Sequence, residues 1–295
     1  MKFKFAFPIL FLTLLTACSD EGTAITSNQE DGIQEDVSQF EAQPRVNDTL
    51  LKIAFKNLEF DVEVKSPEGS ANGTILVLQG WNFPITDWCD STTLCEEALK
   101  RGYILVFPEM GKSIYSDQHY DETRAAWKDY PTRKWLRDSV IGKLQTDFGL
   151  FKEDGNNFVM GLSTGGRGAL LLALDLPEIF SGCATLSGDY DQFMFPNDNL
   201  YIGYFGVMKQ FEKRWQGPEN PRQLLLSKNL NVPLYIGHGM KDNVVPYKHF
   251  ELMKEFIDFV QPEVKVEFHT DSTAQHNYTY WNSEVTNVLD FFEKN

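Results

Sequence analysis

From residue 50 onward the chain alternates short apolar, β-branched runs with longer stretches whose apolar positions recur at helical spacing. The runs at 74–79 (TILVLQ) and 103–108 (YILVFP) are apolar at nearly every position, the pattern of strands buried on both faces. Runs at 158–162, 182–186, 233–237 and 265–269 predict four more strands, and 50–55 with 59–65 predict an opening pair across Lys56-Asn57. Residues 132–148 place Trp135, Leu136, Val140, Leu144 and Phe148 on one helical stripe. Further helices are predicted at 94–101, 166–175, 248–260 and 281–292. Such alternation along one chain predicts an α/β fold: a mainly parallel central sheet of about eight strands with helices on both faces. No linker divides it, so 50–295 reads as one domain of catalytic size.

The first 49 residues follow neither period. Residues 1–17 carry Lys2 and Lys4 ahead of an apolar run from Phe5 to Leu15, too short to span a bilayer and ordered as a secretory leader. Leu15-Thr16-Ala17-Cys18 resembles a bacterial lipobox, which implies a lipid on Cys18 and attachment to a membrane, at its periplasmic face or the cell surface. Residues 18–49 are acidic, with a single Arg45, and read as a flexible tether.

Composition narrows the function. Hydrophobic residues make up 42% and charged residues 23% of 295, enough to build a core and too apolar for wholesale disorder. Lys and Arg total 27 against 42 Asp and Glu, a formal charge of −15 with no local basic patch, which argues against a nucleic-acid partner. Four cysteines lack the paired spacing of a zinc ribbon, and there is no HExxH. Cys89 and Cys95 either close a disulfide above the sheet or remain thiols; Cys183, inside a strand run, reads as a buried thiol. Asp189, Asp191 and Asp198 form an acidic patch, but Phe193 and Met194 break the pattern of a calcium loop.

The chemistry concentrates in three loops. Gly161-Leu162-Ser163-Thr164-Gly165 is the one G-x-S-x-G in the chain, preceded by a strand run and followed by a helix start. Strand, tight turn and helix lift a serine hydroxyl above the sheet edge, and glycine on both sides lets the backbone bend through the elbow. A serine hydroxyl needs a base and an acid that orients it. Asp242 follows the 233–237 strand and His276 precedes the last helix, giving the chain order Ser, Asp, His. The other histidines fit less well: His119 precedes the serine, His238 crowds the acid, and His249 and His269 read as structural or solvated. In the third loop, Gln79-Gly80-Trp81-Asn82, the backbone N–H of Trp81 and that of Thr164 are placed to receive an oxyanion. Aromatics after these strands, among them Phe83, Trp88, Tyr204 and Trp215, are candidates to line the substrate site.

With these residues in place, 74–292 resembles the esterase D / putative-esterase branch of the α/β-hydrolases. Gly161 to Leu170 (GLSTGGRGAL) is similar to that branch's elbow, with Thr164 where the branch has Met. Pro177 to Phe180, Ser187 to Asp191, Gly203 to Gly206 and the spacing of His276 and Trp281 are similar to its other segments. The resemblance implies an α/β-hydrolase fold with a small insert rather than a large cap. It also implies hydrolysis of carboxylic esters through an acyl-enzyme, with no cofactor and no metal. Its substrates range from simple esters to acetyl and feruloyl groups on polysaccharides. A peptidase or acyltransferase on the same scaffold, and a glycan-binding lipoprotein without turnover, are the alternatives.

Overall fold

The computed structural model describes residues 47–228 and 230–295. The expected leader, Cys18 and almost all of the expected tether lie outside the described residues. Eight strands form one sheet: β1 (Thr49–Phe55), β2 (Leu58–Lys65), β3 (Gly73–Leu78), β4 (Tyr103–Pro108), β5 (Asn157–Leu162), β6 (Gly182–Leu186), β7 (Leu234–Gly239) and β8 (Val266–Asp271). Their spatial order is β1-β2-β4-β3-β5-β6-β7-β8. β1 and β2 pair antiparallel, as do β2 and β4; every other pairing is parallel. All eight expected strands are present, with ends within a residue or two of the apolar runs.

Side-chain alternation along the central strands sorts the core into two layers. Leu76, Leu78, Val159, Cys183 and Ile236 face one layer. It is filled by Trp135, Leu136 and Val140, by α4 (Thr164–Asp175), and by Phe250, Met253 and Ile257 of α8 (Lys248–Val260). Ile75, Val77, Phe158, Met160, Ala184 and Leu186 face the other, against α1 (Asp87–Ser91), α2 (Leu94–Lys100) and α9 (Tyr278–Glu293). β3 to β7 therefore lose both faces to helices, which is why they read as unbroken apolar runs. The 132–148 stripe forms α3 (Arg133–Trp135), continued by wider turns over Leu136–Ile141 and Leu144–Phe148.

Three short helices not evident from periodicity, α5 (Asn199–Phe205), α6 (Met208–Trp215) and α7 (Pro221–Ser227), follow β6. Ile114, Tyr201, Tyr204, Phe205 and Trp215 form a separate apolar cluster there. This is the small insert, and it carries its own core.

Candidate active site

The elbow is built by close backbone approach. A Cβ on Gly161 would lie 2.3 Å from the Gly165 carbonyl oxygen, and one on Gly165 would lie 2.5 Å from the Leu78 and Gln79 oxygens. Between them Ser163 takes φ 54° and ψ −126°, a conformation costly for a side-chain-bearing residue and tolerated where the surroundings fix it. Its N–H donates to Leu186 O at 2.9 Å and its carbonyl accepts from Arg167 N at 3.1 Å, tying the turn to β6 and to α4. Arg167 is itself buried, donating to the Ile114 and Glu219 carbonyls and to Gln192 Oε1, so the elbow helix is bolted to the insert.

Asp242 stands in the turn after β7. Its Oδ1 accepts from the Val244 and Val245 amides, each at 2.9 Å, and its Oδ2 lies 2.7 Å from His276 Nδ1. Since the carboxylate can only accept, Nδ1 carries the proton and Nε2 is left with a free lone pair, the form a general base needs. Burial works to raise the Asp242 pKa, but the hydrogen bond and charge of His276, the Val244 amide and His238 overcome it and hold the group below the ordinary carboxylate value. His276 precedes α9, whose first turn is capped by Asn277 accepting from Tyr280 N at 3.1 Å; its ring meets Trp281 edge-on at 5.0 Å. His238, set aside on spacing, lies behind the acid: its Nε2 is 3.0 Å from Val245 O and 3.5 Å from Asp242 Oδ2.

The loop after β3 is held from below by Tyr115 Oη donating to Gln79 O at 2.7 Å and Trp88 Nε1 donating to Leu78 O at 3.3 Å. Neither the Trp81 amide nor the Thr164 amide has a protein acceptor among the described residues. The latter opens α4, where unpaired N–H groups and the helix dipole favour negative charge.

A cavity of about 400 Å³ opens beside Ser163, with neither Asp242 nor His276 among its lining residues. It is lined by Ser163 and Thr164, by Trp81 and Trp127, by Arg124, Asp189, Asp198 and His249, and by Val244 and Val245, whose amides hold Asp242. A larger groove of about 670 Å³ lies beneath the opposite, amino ends of β6, β7 and β8 and contains none of these groups.

The four aromatics expected to line the site do not line this cavity. Trp88, Tyr204 and Trp215 are fully buried, the first under the β3 loop and the other two in the insert core, where Trp215 Nε1 donates to Gly206 O at 3.0 Å. Phe83 packs against Tyr278 and Trp281 and opens toward a separate surface cleft. Composition could not tell wall from filler; the insert has to bury its own rings to stand above the sheet. The aromatic walls are Trp81 and Trp127, edge to face at 4.7 Å, with the Arg124 guanidinium 4.6 Å over Trp127.

Spacing also missed His249. It is buried in the wall, stacks on Phe195 at 4.0 Å, and accepts through Nδ1 from the Tyr190 and Asp191 amides at 3.2 and 3.4 Å. Of the acidic patch, Asp191 is paired with Asn220 and Arg222 and Asp198 caps α5, while Asp189 faces the cavity. Cys89 and Cys95 are joined as a disulfide between α1 and α2, and Cys183 is a buried thiol.

The strand order, the elbow at the end of β5 and the acid after β7 define an α/β-hydrolase. The profile of the family described as Putative esterase matches residues 58–292, and the chain belongs to that family, a carboxylic ester hydrolase. The diacylglycerol acyltransferase/mycolyltransferase Ag85C of Mycobacterium leprae is 22% identical over 285 residues, covering 81% of this chain and 84% of that one. Among solved structures, the fluorophosphonate-binding serine hydrolase F of Staphylococcus aureus superposes with a TM-score of 0.66 at 17% identity, covering 83% of this chain and 98% of that one. An S-formylglutathione hydrolase from Agrobacterium tumefaciens gives 0.66 at 16% identity, covering 83% and 94%.

Proposed function

We propose that this esterase works through Ser163, His276 and Asp242 by an acyl-enzyme. The observation that carries the reading is the 2.7 Å contact of His276 Nδ1 with an Asp242 already fixed by two amides, at the carboxyl ends of the strands that present Ser163. His276 Nε2 takes the Ser163 hydroxyl proton as Oγ attacks the ester carbonyl, and the oxyanion is received by the Trp81 and Thr164 amides. The imidazolium returns the proton to the leaving alkoxide. Water then repeats the sequence on the acyl-enzyme, releasing the acid and restoring the serine.

The substrate is a small-molecule ester, or the ester-bearing end of a larger glycan, whose reacting part fits about 400 Å³. A fluorophosphonate probe tests the nucleophile directly: labelling is expected on the intact protein and absent in Ser163→Ala. The same substitution should lower hydrolysis of 4-nitrophenyl butyrate by at least about 10⁴-fold, with the fold retained. A Ser163→Ala protein that still labels, or keeps a tenth of the rate, overturns the assignment.

The leader and lipobox pattern support an exported enzyme held to a membrane by lipid on Cys18. Cys18→Ala should move the protein to the soluble fraction with its esterase activity intact. Continued membrane partition of that variant refutes lipid at Cys18 as the anchor.

A further inference from the structure

Two groups in the wall of the Ser163 cavity are left over by the catalytic reading. Asp189, after β6, is 5% exposed, and its Oδ1 is buried with no hydrogen-bond partner among the described residues. A buried carboxyl oxygen left unmatched costs stability unless something else supplies the donor. His249 is the second. Its Nδ1 accepts from two backbone amides, so the ring proton sits on Nε2, and burial pushes its pKa down to about 3, leaving the ring neutral at any working pH. The same wall thus carries an acceptor without a donor and a fixed N–H donor.

The surroundings decide what fits between them. Arg124 lines the cavity, so a free ammonium group meets a guanidinium charge there, and the buried Arg167 already offsets part of the charge on Asp189. A carboxylate ligand meets Asp189 and Asp198. A neutral hydroxyl is both donor and acceptor, so it can pair with the Asp189 carboxyl group and with His249 Nε2–H, the two kinds of partner this wall offers. Beside them Trp81 and Trp127 offer apolar faces to the carbon skeleton that bears it.

We propose that Asp189 and His249 form a polar subsite in the Ser163 cavity that recognises a hydroxyl group on the substrate, making hydroxylated esters the preferred class. The proposal rests on Ser163 as nucleophile and adds the recognition element beside it. Its size follows from pairing a buried polar group that is otherwise orphaned, a contact an alkyl analogue leaves unmade.

Matched substrate pairs on the unaltered protein test it. On the acyl side, 4-nitrophenyl 3-hydroxybutyrate is compared with 4-nitrophenyl butyrate; on the alcohol side, glycerol monoacetate with propyl acetate. In one of the two arms the hydroxylated member should show a kcat/KM higher by about tenfold or more, expressed mainly in KM. Asp189→Ala and His249→Phe should bring that ratio toward one, and Asp189→Asn, which keeps an acceptor oxygen, should retain part of it. Ratios near one in both arms, with fluorophosphonate labelling of Ser163 intact, overturn the subsite while leaving the esterase reading in place. A 3-aminobutyryl ester turned over better than its hydroxy counterpart overturns it in favour of a cation site. Absence of labelling strikes the nucleophile, and the subsite with it. Because the first comparison needs no variant, misfolding of any substitution does not remove the test.

Discussion

The loops after β6 and β7 each bury an aspartate, Asp189 at 5% and Asp242 at 7% exposed, and treat it in opposite ways. The β7 loop gives Asp242 two backbone amides and an imidazole N–H, and its pKa falls below the ordinary value. The β6 loop leaves Asp189 Oδ1 bare; burial, offset in part by Arg167 and reinforced by Asp198, pushes its pKa up to about 7. Asp189 is the more deeply desolvated of the two and also lacks the amides and imidazole that hold the charge on Asp242, so depth and hydrogen bonding together drive the pair apart. A carboxylate whose acceptor sites are filled by the protein serves the protein's own machinery. One left open is available to a ligand.

Asp242→Asn breaks the first half of this comparison and has the larger effect. The Val244 and Val245 amides need an oxygen at Oδ1, so the new NH₂ group faces His276 Nδ1. That nitrogen then has to accept, the proton moves to Nε2, and the base is lost. A fall in kcat of about 10³ to 10⁴ is expected with KM changed little, the scale of a wrong histidine tautomer. Steady-state kinetics on 4-nitrophenyl butyrate checks it. A fall of less than tenfold would mean that His276 takes its orientation elsewhere, and the filled hydrogen-bond set would lose its catalytic meaning.

The elbow and the acid–base order were legible because their constraints are local or ordinal. Gly161 and Gly165 are demanded by backbone contacts that no side chain survives, and a strand run precedes each of Ser163 and Asp242. The sheet was legible for a similar reason, since burial on both faces leaves few polar positions in the central strands. The cavity wall was not. It is assembled from the loop after β3, the turn that carries Trp127, the elbow, the β6 loop with α5, and the start of α8, segments far apart in the chain, and no period marks which ring of Trp88, Trp127, Tyr204 or Trp215 ends up facing the serine. Only Trp127 does, from a short turn that carries no hydrophobic pattern. His249 opens α8 as a surface histidine would, and its burial depends on Phe195 and the Tyr190 amide arriving from the β6 loop. Asp189 sat among three nearby acids that looked alike in sequence, separated only by the partners each meets.

The second half of the comparison is sharpened by a smaller, purely thermodynamic effect. Asp189 releases its proton near the ordinary aspartate value of 3.8 in the unfolded chain and at about 7 in the folded one. Between those limits the folded state holds the extra proton, so unfolding releases it and stability declines as pH rises through the window. Below about pH 4 the group costs nothing by this route; from about pH 7 upward the whole cost is present. Asp189→Asn removes the ionisation while keeping the shape. Its Tm should match the wild type near pH 4 and exceed it at pH 8, the gap widening as pH rises through the window. Arg167 and Asp198 remain in both proteins, so the difference between the two Tm–pH curves reports the Asp189 charge together with its coupling to these two neighbours. Parallel curves would show that Asp189 is as well satisfied as Asp242, and the contrast between the two loops would fail. A hydroxylated ester analogue at saturating concentration should then narrow the gap at pH 8, because its hydroxyl supplies the donor that the fold withholds from Oδ1.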